Sequence, residues 1–341
     1  MAKTRIETDG IGSVTLADSV DYGVHTFRAV ENFPITGVLL RDFPELVQSL
    51  AMTKKACALA NMELGALDKR IGGAIARACD RIMAGEGHSG FVVDMLQGGA
   101  GTSTNMNANE VIANLALREL QRPAGDYKTI HPNDHVNLSQ STNDVYPTAV
   151  RLTMIRSVPA LVAQQEALKA ALLVKAEEFH DIIKVGRTQL MDAVPMRLGH
   201  EFRAFAITIG EDVERLREMG NLLREINLGG TAIGTGINTP EGYPESVIKH
   251  LSEVSAERML TAGDLIEATS DMGAFVMFSG ILKRIAVKLS KICNDLRLLN
   301  SSRRHSRRWA APVCRSRPSR AGPRATTSCT SRAARPKASP T

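Results

Sequence analysis

Three stretches of this chain concentrate neutral hydrogen-bond donors just ahead of helical patterns, an arrangement suited to holding anions. In the first, Gly98 to Asn114 (GGAGTSTNMNANEVIAN), three glycines in four positions run into Thr102, Ser103, Thr104 and Asn105. The second, His131 to Pro147 (HPNDHVNLSQSTNDVYP), places Ser139, Gln140, Ser141, Thr142, Asn143 and Asp144 before a long helical pattern. In the third, Gly186 to Phe202 (GRTQLMDAVPMRLGHEF), Thr188 and Gln189 sit in a loop that ends in another helix. A helix N-terminus exposes unpaired N–H groups and roughly half a positive charge, so a hydroxyl- and amide-rich loop there suits a carboxylate or phosphate. Three such loops fit a small molecule carrying more than one carboxylate. Taken singly, Thr102, Ser141 and Thr142 also read as ordinary helix caps.

The elements that must position these loops are helices. Asn107 with Glu110, and Ser141 with Asp144, have capping-box spacing. Apolar residues at helical spacing predict helices over Phe43 to Ala60 and Met62 to Met83, the second ended by Gly85-Glu86-Gly87, while residues 1–40 promise few regular elements. Longer patterns run from Tyr146 to His180, Met196 to Glu225 and Met272 to Leu299. In the last, Phe275, Phe278, Leu282, Ile285, Leu289, Ile292, Leu296 and Leu299 step by three and four throughout, and such a seam demands partner helices. The expected fold is mainly α, with a small N-terminal domain over residues 1–145 and a helical-bundle domain over 146–300.

At 341 residues and 43% hydrophobic content the chain can build a sizeable core. It has no apolar run of membrane-spanning length and no signal-peptide pattern, so a cytoplasmic protein without a membrane partner is expected. Five scattered cysteines read as free thiols. The formal charge of +6 is misleading, because residues 301–341 alone carry +11 and leave the first 300 at −5. His131 and His135 are four apart, but Pro132 between them argues against one regular helix and no third ligand accompanies them; no metal or other cofactor is expected. GTAIGTG lacks the strand-turn-helix frame of a dinucleotide site. Asp144 and Asp192 are expected as buried partners of backbone N–H groups or arginines.

Read together, these stretches resemble the aspartase/fumarase superfamily, and within it the aspartase branch. The resemblance runs from about Arg5 to Ser302, through YGVHTFRAVENF, GAGTSTNMNANEV, HPNDHVNLSQSTNDVYPT, GRTQLMDAVP, NLGGTAIGTGINTP and DLIEATSD followed by SKICNDLRLL. It implies a long-helix bundle of that type, here truncated, and a lyase that reversibly eliminates ammonia from L-aspartate to give fumarate. The reaction would proceed by proton abstraction at C3 through an aci-carboxylate. By motif match the substrate-binding residues are Thr102, Ser141, Thr142, Asn143, Thr188 and Gln189, with Asn238 a weaker candidate for positioning. In the resembling fumarases HPNDHVN lines a secondary anion site, which implies a structural or peripheral role for His131. The family assembles its active site from three subunits of a homotetramer.

Gln189, where fumarases usually have histidine, and the wording NTPEGY favour aspartase over a class II fumarate hydratase, and Met191 departs from the common glutamine. The family's catalytic base is a serine in the motif GSSxMPxKxN, which this sequence lacks, so no catalytic residue is assigned. Beyond Ser302 the composition loses Leu, Ile, Met, Phe, Asp and Glu altogether. One reading is a disordered basic tail that binds nucleic acid or anionic surfaces. The preferred one is a segment outside the intended reading frame, without a nucleic-acid partner, since the family continues after a double serine with a glycine-proline-arginine signature. A non-catalytic truncated scaffold is the other class of function to weigh.

Overall fold

The structure, a computed structural model, describes residues 3–99, 101–189 and 191–300; the readings placed on 301–341 lie outside them. The N-terminal stretch is more regular than expected. Strands β1 (Thr4–Asp9) and β2 (Gly12–Ala17) pair as an antiparallel hairpin, and helix α1 (Val24–Asn32) follows. Gly23 offers no side chain to cap α1. Its N-terminus is held from a distance instead, by the buried Glu110 carboxylate accepting from the backbone N–H groups of Gly23, His25 and Thr26 at 2.9–3.0 Å.

Helix α2 (Pro44–Glu63) ends in a turn through Gly65, at φ +73°, and α3 (Lys69–Met83) starts only after Asp68, whose carboxylate caps the N–H groups of Arg70 and Ile71. The expected start at Met62 is therefore corrected by seven residues, because a local cap outcompetes a continuous apolar pattern. Helix α4 (Thr102–Glu119) starts at the glycine loop. The expected capping box of Asn107 and Glu110 does not form. Asn107 lies inside the helix and bridges the backbone of Gly90 and Val92, while Glu110 serves α1.

Helix α5 (Thr142–Glu178) has 37 residues and is therefore about 55 Å long. A hairpin of β3 (Ile183–Thr188) and β4 (Met191–Arg197) turns the chain back into α6 (Leu198–Leu223). The short strand β5 (Glu225–Ile226) then leads through a glycine-rich loop to α7 (Tyr243–Ser255), and β6 (Leu260–Thr261) pairs parallel with β5. Helices α8 (Leu265–Ser270) and α9 (Gly273–Leu299) complete the described chain. The fold is mainly helical, as the sequence implies.

One core cluster joins α2, α3 and α4 through Leu50, Ile75, Ile82, Val111 and Leu115. A second joins the other face of α2 to α5, α6 and α7 through Cys57, Leu152, Leu223, Tyr243 and Val247. The long helices α5, α6 and α9 form two further apolar layers, Val158 with Leu216 and Ile285, then Leu172 with Phe205, Ile209 and Ile292. Between these layers lies a polar one. Asp212 is fully buried and accepts from Lys288 Nζ at 2.9 Å and pairs with Arg284 Nε at 3.0 Å. Gln165, midway between Val158 and Leu172, is 3% exposed and its amide has no partner among the described residues. Val276, Met277, Leu282 and Val287 of α9 remain exposed. No described helix is long and apolar enough to cross a membrane.

Candidate active site

Two helix N-termini meet where the first two donor loops converge. Gly101 caps α4 with φ +89°, a conformation that favours glycine, and a methyl group there would overlap the ring of Tyr146 one turn into α5. The loop therefore lies against α5. One turn after Thr102, Asn105 Nδ2 donates to Thr142 Oγ1 at 3.1 Å, so the first turns of α4 and α5 touch through polar atoms. At the start of α5 the capping box of Ser141 and Asp144 forms as the spacing predicts: Ser141 Oγ accepts from Asn143 N at 3.2 Å, and Asp144 Oδ1 from Ser141 N at 2.9 Å. Thr102 and Asn143 are exposed, and Ser141 and Thr142 half-buried. The dipoles of both helices point their positive ends at this surface.

Pro147 explains how the glycine-rich loop after β5 is fastened to it. Proline has no N–H, so the carbonyl four residues earlier, that of Asn143, loses its helical partner. Asn227 Nδ2 fills the vacancy at 3.0 Å and also donates to Thr269 Oγ1 at 3.1 Å, tying α5 to α8. The Asn143 side chain returns the contact, its Nδ2 donating to the carbonyl of Ala232 at 2.7 Å. That leaves Asn143 one amide N–H and Oδ1 for a ligand.

Two buried charges frame the cluster. Asp144 is fully buried, and besides Ser141 its carboxylate accepts from the backbone N–H groups of Gly229 and Thr231 at 3.2 and 3.0 Å. Burial raises its pKa to about 6 against the opposing pull of these bonds. This is the expected role for Asp144. Asp192 differs: it pairs with Arg187 Nε at 3.3 Å on the hairpin, but its side chain is 75% exposed, because a two-stranded hairpin has no interior to bury it. Lys54 on α2 is fully buried and donates from Nζ to Asn137 Oδ1 and Gln140 Oε1, both at 2.8 Å. Desolvation lowers its pKa to about 8. Asn137 Oδ1 also accepts from Asn105 Nδ2 at 3.1 Å, so a chain of hydrogen bonds runs from Lys54 through Asn137 and Asn105 to Thr142.

The structure gathers Thr102, Ser141, Thr142 and Asn143, and separates Thr188 and Gln189 from them. Thr188 ends β3 and Gln189, at φ +48°, lies in the hairpin turn beyond the far end of α5, so the length of that helix stands between the two halves of the set. Asn238 has φ +67° and makes no side-chain hydrogen bond among the described residues. His131 Nδ1 accepts from the N–H groups of Asn133 and Asp134 at 3.2 Å, and His135 Nδ1 from His131 N at 2.8 Å, which makes both rings fasteners of a single wide turn.

Lys54, Asn105 and Asn227 are supporting residues: the motif reading places Asn105 in the glycine loop and Asn227 at the head of NLGGTAIGTGINTP without giving either a role, and it passes over Lys54. A signal for Lys54 exists. It falls on the stripe Leu50, Lys54, Cys57 and Asn61, stepping by four, three and four along the buried face of α2. Polar residues Asn105, Asn107, Asn109 and Asn114 in a mid-chain helix are a similar signal, since asparagine is a poor helix former unless its amide is used.

The profile of a family described as Lyase matches residues 12–307. An aspartate ammonia-lyase of Pseudomonas aeruginosa is 55% identical over 305 residues, covering 89% of this chain and 64% of that protein. One from Helicobacter pylori is 53% identical over 300 residues, covering 88% and 64%. One from Escherichia coli is 52% identical over 301 residues, covering 88% and 63%. Among solved structures, a fumarate lyase:delta crystallin of Brucella melitensis aligns with a TM-score of 0.87 at 56% identity, covering 89% of this chain and 66% of that one. A class II fumarase of Schistosoma mansoni aligns with a TM-score of 0.83 at 30% identity, covering 88% and 66%. The chain thus spans just under two thirds of the length of the curated relatives it matches.

Proposed function

Starting from the fact that this chain belongs to the lyase family of the aspartase/fumarase superfamily, we propose that it forms the dicarboxylate-holding part of an enzyme eliminating ammonia from L-aspartate to give fumarate. The observation that carries this reading is the meeting of two helix N-termini at Thr102 and Ser141–Asn143, with neutral donors at a surface of positive helix ends. Removal of the C3 proton puts a second negative charge on the adjacent carboxylate before the amine leaves. Donors fixed in advance stabilise that charge without reorganising, each by about 3 to 4 kcal/mol. Thr142 and Asn143 are suited to this because Asn105, Asn227 and the Ala232 carbonyl already fix their orientation.

Thr188 and Gln189 complete the site from another copy of the chain. A homotetramer in which the hairpin of one subunit approaches the α5 N-terminus of another accounts for their distance within one chain. Aspartate is favoured over malate by the 52–55% identity to proteins named aspartate ammonia-lyase, against 30% to a fumarase. No described side chain is assigned as the base. The test is calorimetric titration with succinate, which carries both carboxylates and cannot react. Saturable binding, displaced by L-aspartate more effectively than by L-malate and weakened about tenfold or more by Thr142→Ala, is expected. Absence of succinate binding by the native chain would overturn the reading; equal loss to L-malate would favour a hydratase.

A further inference from the structure

Arg151 lies on α5 two turns past the candidate site and is only 7% exposed, yet no carboxylate among the described residues lies within ion-pair distance of it. Its Nη1 donates to the carbonyls of Glu225 at 2.5 Å and Leu222 at 3.5 Å, and its guanidinium carbon stands 5.1 Å from the centre of the Phe275 ring. Nε and Nη2 have no partner among the described residues and are not sealed from solvent. A buried cation without a counter-ion is costly, and native proteins seldom keep one unless something supplies the anion. Burial correspondingly weakens its hold on the proton, while Asp271, Glu225 and Glu267 offset this only through space.

In front of Arg151 is a cavity of about 460 Å³ between α5 and the junction of α8 with α9, within the size range of small-molecule pockets. Tyr146, Val150, Met272 and Phe275 give it apolar and aromatic walls, and Asp271 also lines it. Asp271 uses Oδ2 to accept from Gly273 N at 3.0 Å, which leaves Oδ1 open. Opposite charges therefore face one apolar cavity without pairing directly. An inorganic anion would satisfy Arg151 but leave the aromatic walls wet and meet the Asp271 carboxylate; an apolar molecule would leave both charges bare.

We propose that this cavity binds an α-amino acid with an aromatic or large apolar side chain, its carboxylate on Arg151, its ammonium at Asp271 and its side chain against Phe275 and Tyr146. The same Tyr146 ring backs Gly101, and Asn143 borders the cavity, so an occupant stiffens the first turns of α5. This site adjoins the dicarboxylate site at Asn143, but its charged groups, Arg151 and Asp271, and its apolar walls are not part of that site.

The probe is L-phenylalanine, titrated calorimetrically into the full chain. Saturable binding is expected, weakened about tenfold or more for 3-phenylpropionate, which lacks the ammonium, and for phenethylamine, which lacks the carboxylate. Arg151→Lys keeps the charge but loses the guanidinium fork, and is expected to weaken L-phenylalanine about tenfold. Ala268→Trp, on the half-exposed cavity wall, fills the space and is expected to abolish binding. Thr142→Ala leaves L-phenylalanine binding intact while weakening succinate, which keeps the two sites distinguishable. No binding by the native chain, an affinity for either truncated analogue equal to that for L-phenylalanine, or binding untouched by Ala268→Trp would overturn the proposal.

Discussion

Asp144 shows how one carboxylate can set the geometry of a site while resisting its own charge. It is ionised at neutral pH although burial raises its pKa to about 6, because three backbone N–H groups and the field of Lys54 oppose desolvation. A native pKa above the unfolded value means that the native state binds more protons between pH about 4 and about 6, so stability from this group falls as pH rises through that window and is level above it. Asp144→Asn lacks this slope. The difference in Tm between variant and native chain is therefore expected to move in the variant's favour from pH about 4 to about 6. A difference that stays constant across the window would show that Asp144 titrates normally. In the same variant succinate should bind more weakly, since one amide oxygen cannot accept from all three N–H groups.

Among the elements, α5 contributes most to the candidate site, with Ser141 at its cap and Thr142 and Asn143 in its first turn. Its Pro147 sacrifices one helical hydrogen bond, and the freed carbonyl of Asn143 becomes the anchor for Asn227. Pro147→Ala restores the N–H and lets the helix compete for that carbonyl. The expected result is a higher Tm with weaker succinate binding, and a variant that binds as the native chain does would show that Pro147 does not position the site. Deeper in the bundle, Gln165→Leu replaces a buried amide without a partner among the described residues by an apolar group of similar size, and is expected to raise stability by about 1 to 3 kcal/mol; a fall in Tm would mean that the amide is satisfied. The long helices were legible because apolar residues repeat at three and four over many turns, and Ser141 with Asp144 was legible because a capping box is a local rule. Contacts formed at long range escaped. Glu110 caps a helix more than 80 residues away, and nothing local distinguishes that use from the capping box its spacing suggested. The hairpin at Thr188 shows in the sequence only as a loop, since its two strands have no buried face to impose alternation.

For the whole molecule, the decisive dimension is the length of α5, about 55 Å from 37 residues. Thr142 and Thr188 lie at its opposite ends, so a site that uses both draws on two copies of the chain. Mixing Thr142→Ala with Thr188→Ala chains in equal amounts, after denaturation and refolding together, should regenerate sites with both threonines native in about a quarter of positions if subunits assort at random in a symmetric oligomer. Recovery of succinate binding in the mixture but in neither parent is the expected outcome; no recovery would place the hairpin outside the site. The same length has a thermodynamic side. A ligand that needs two chains to be bound favours their association by mass action, so under the proposed two-chain site succinate is expected to act as an assembly factor as well as an occupant. At a fixed, low protein concentration, succinate at a concentration near its Kd for the native chain should raise the sedimentation coefficient of the native chain and raise that of Thr142→Ala far less.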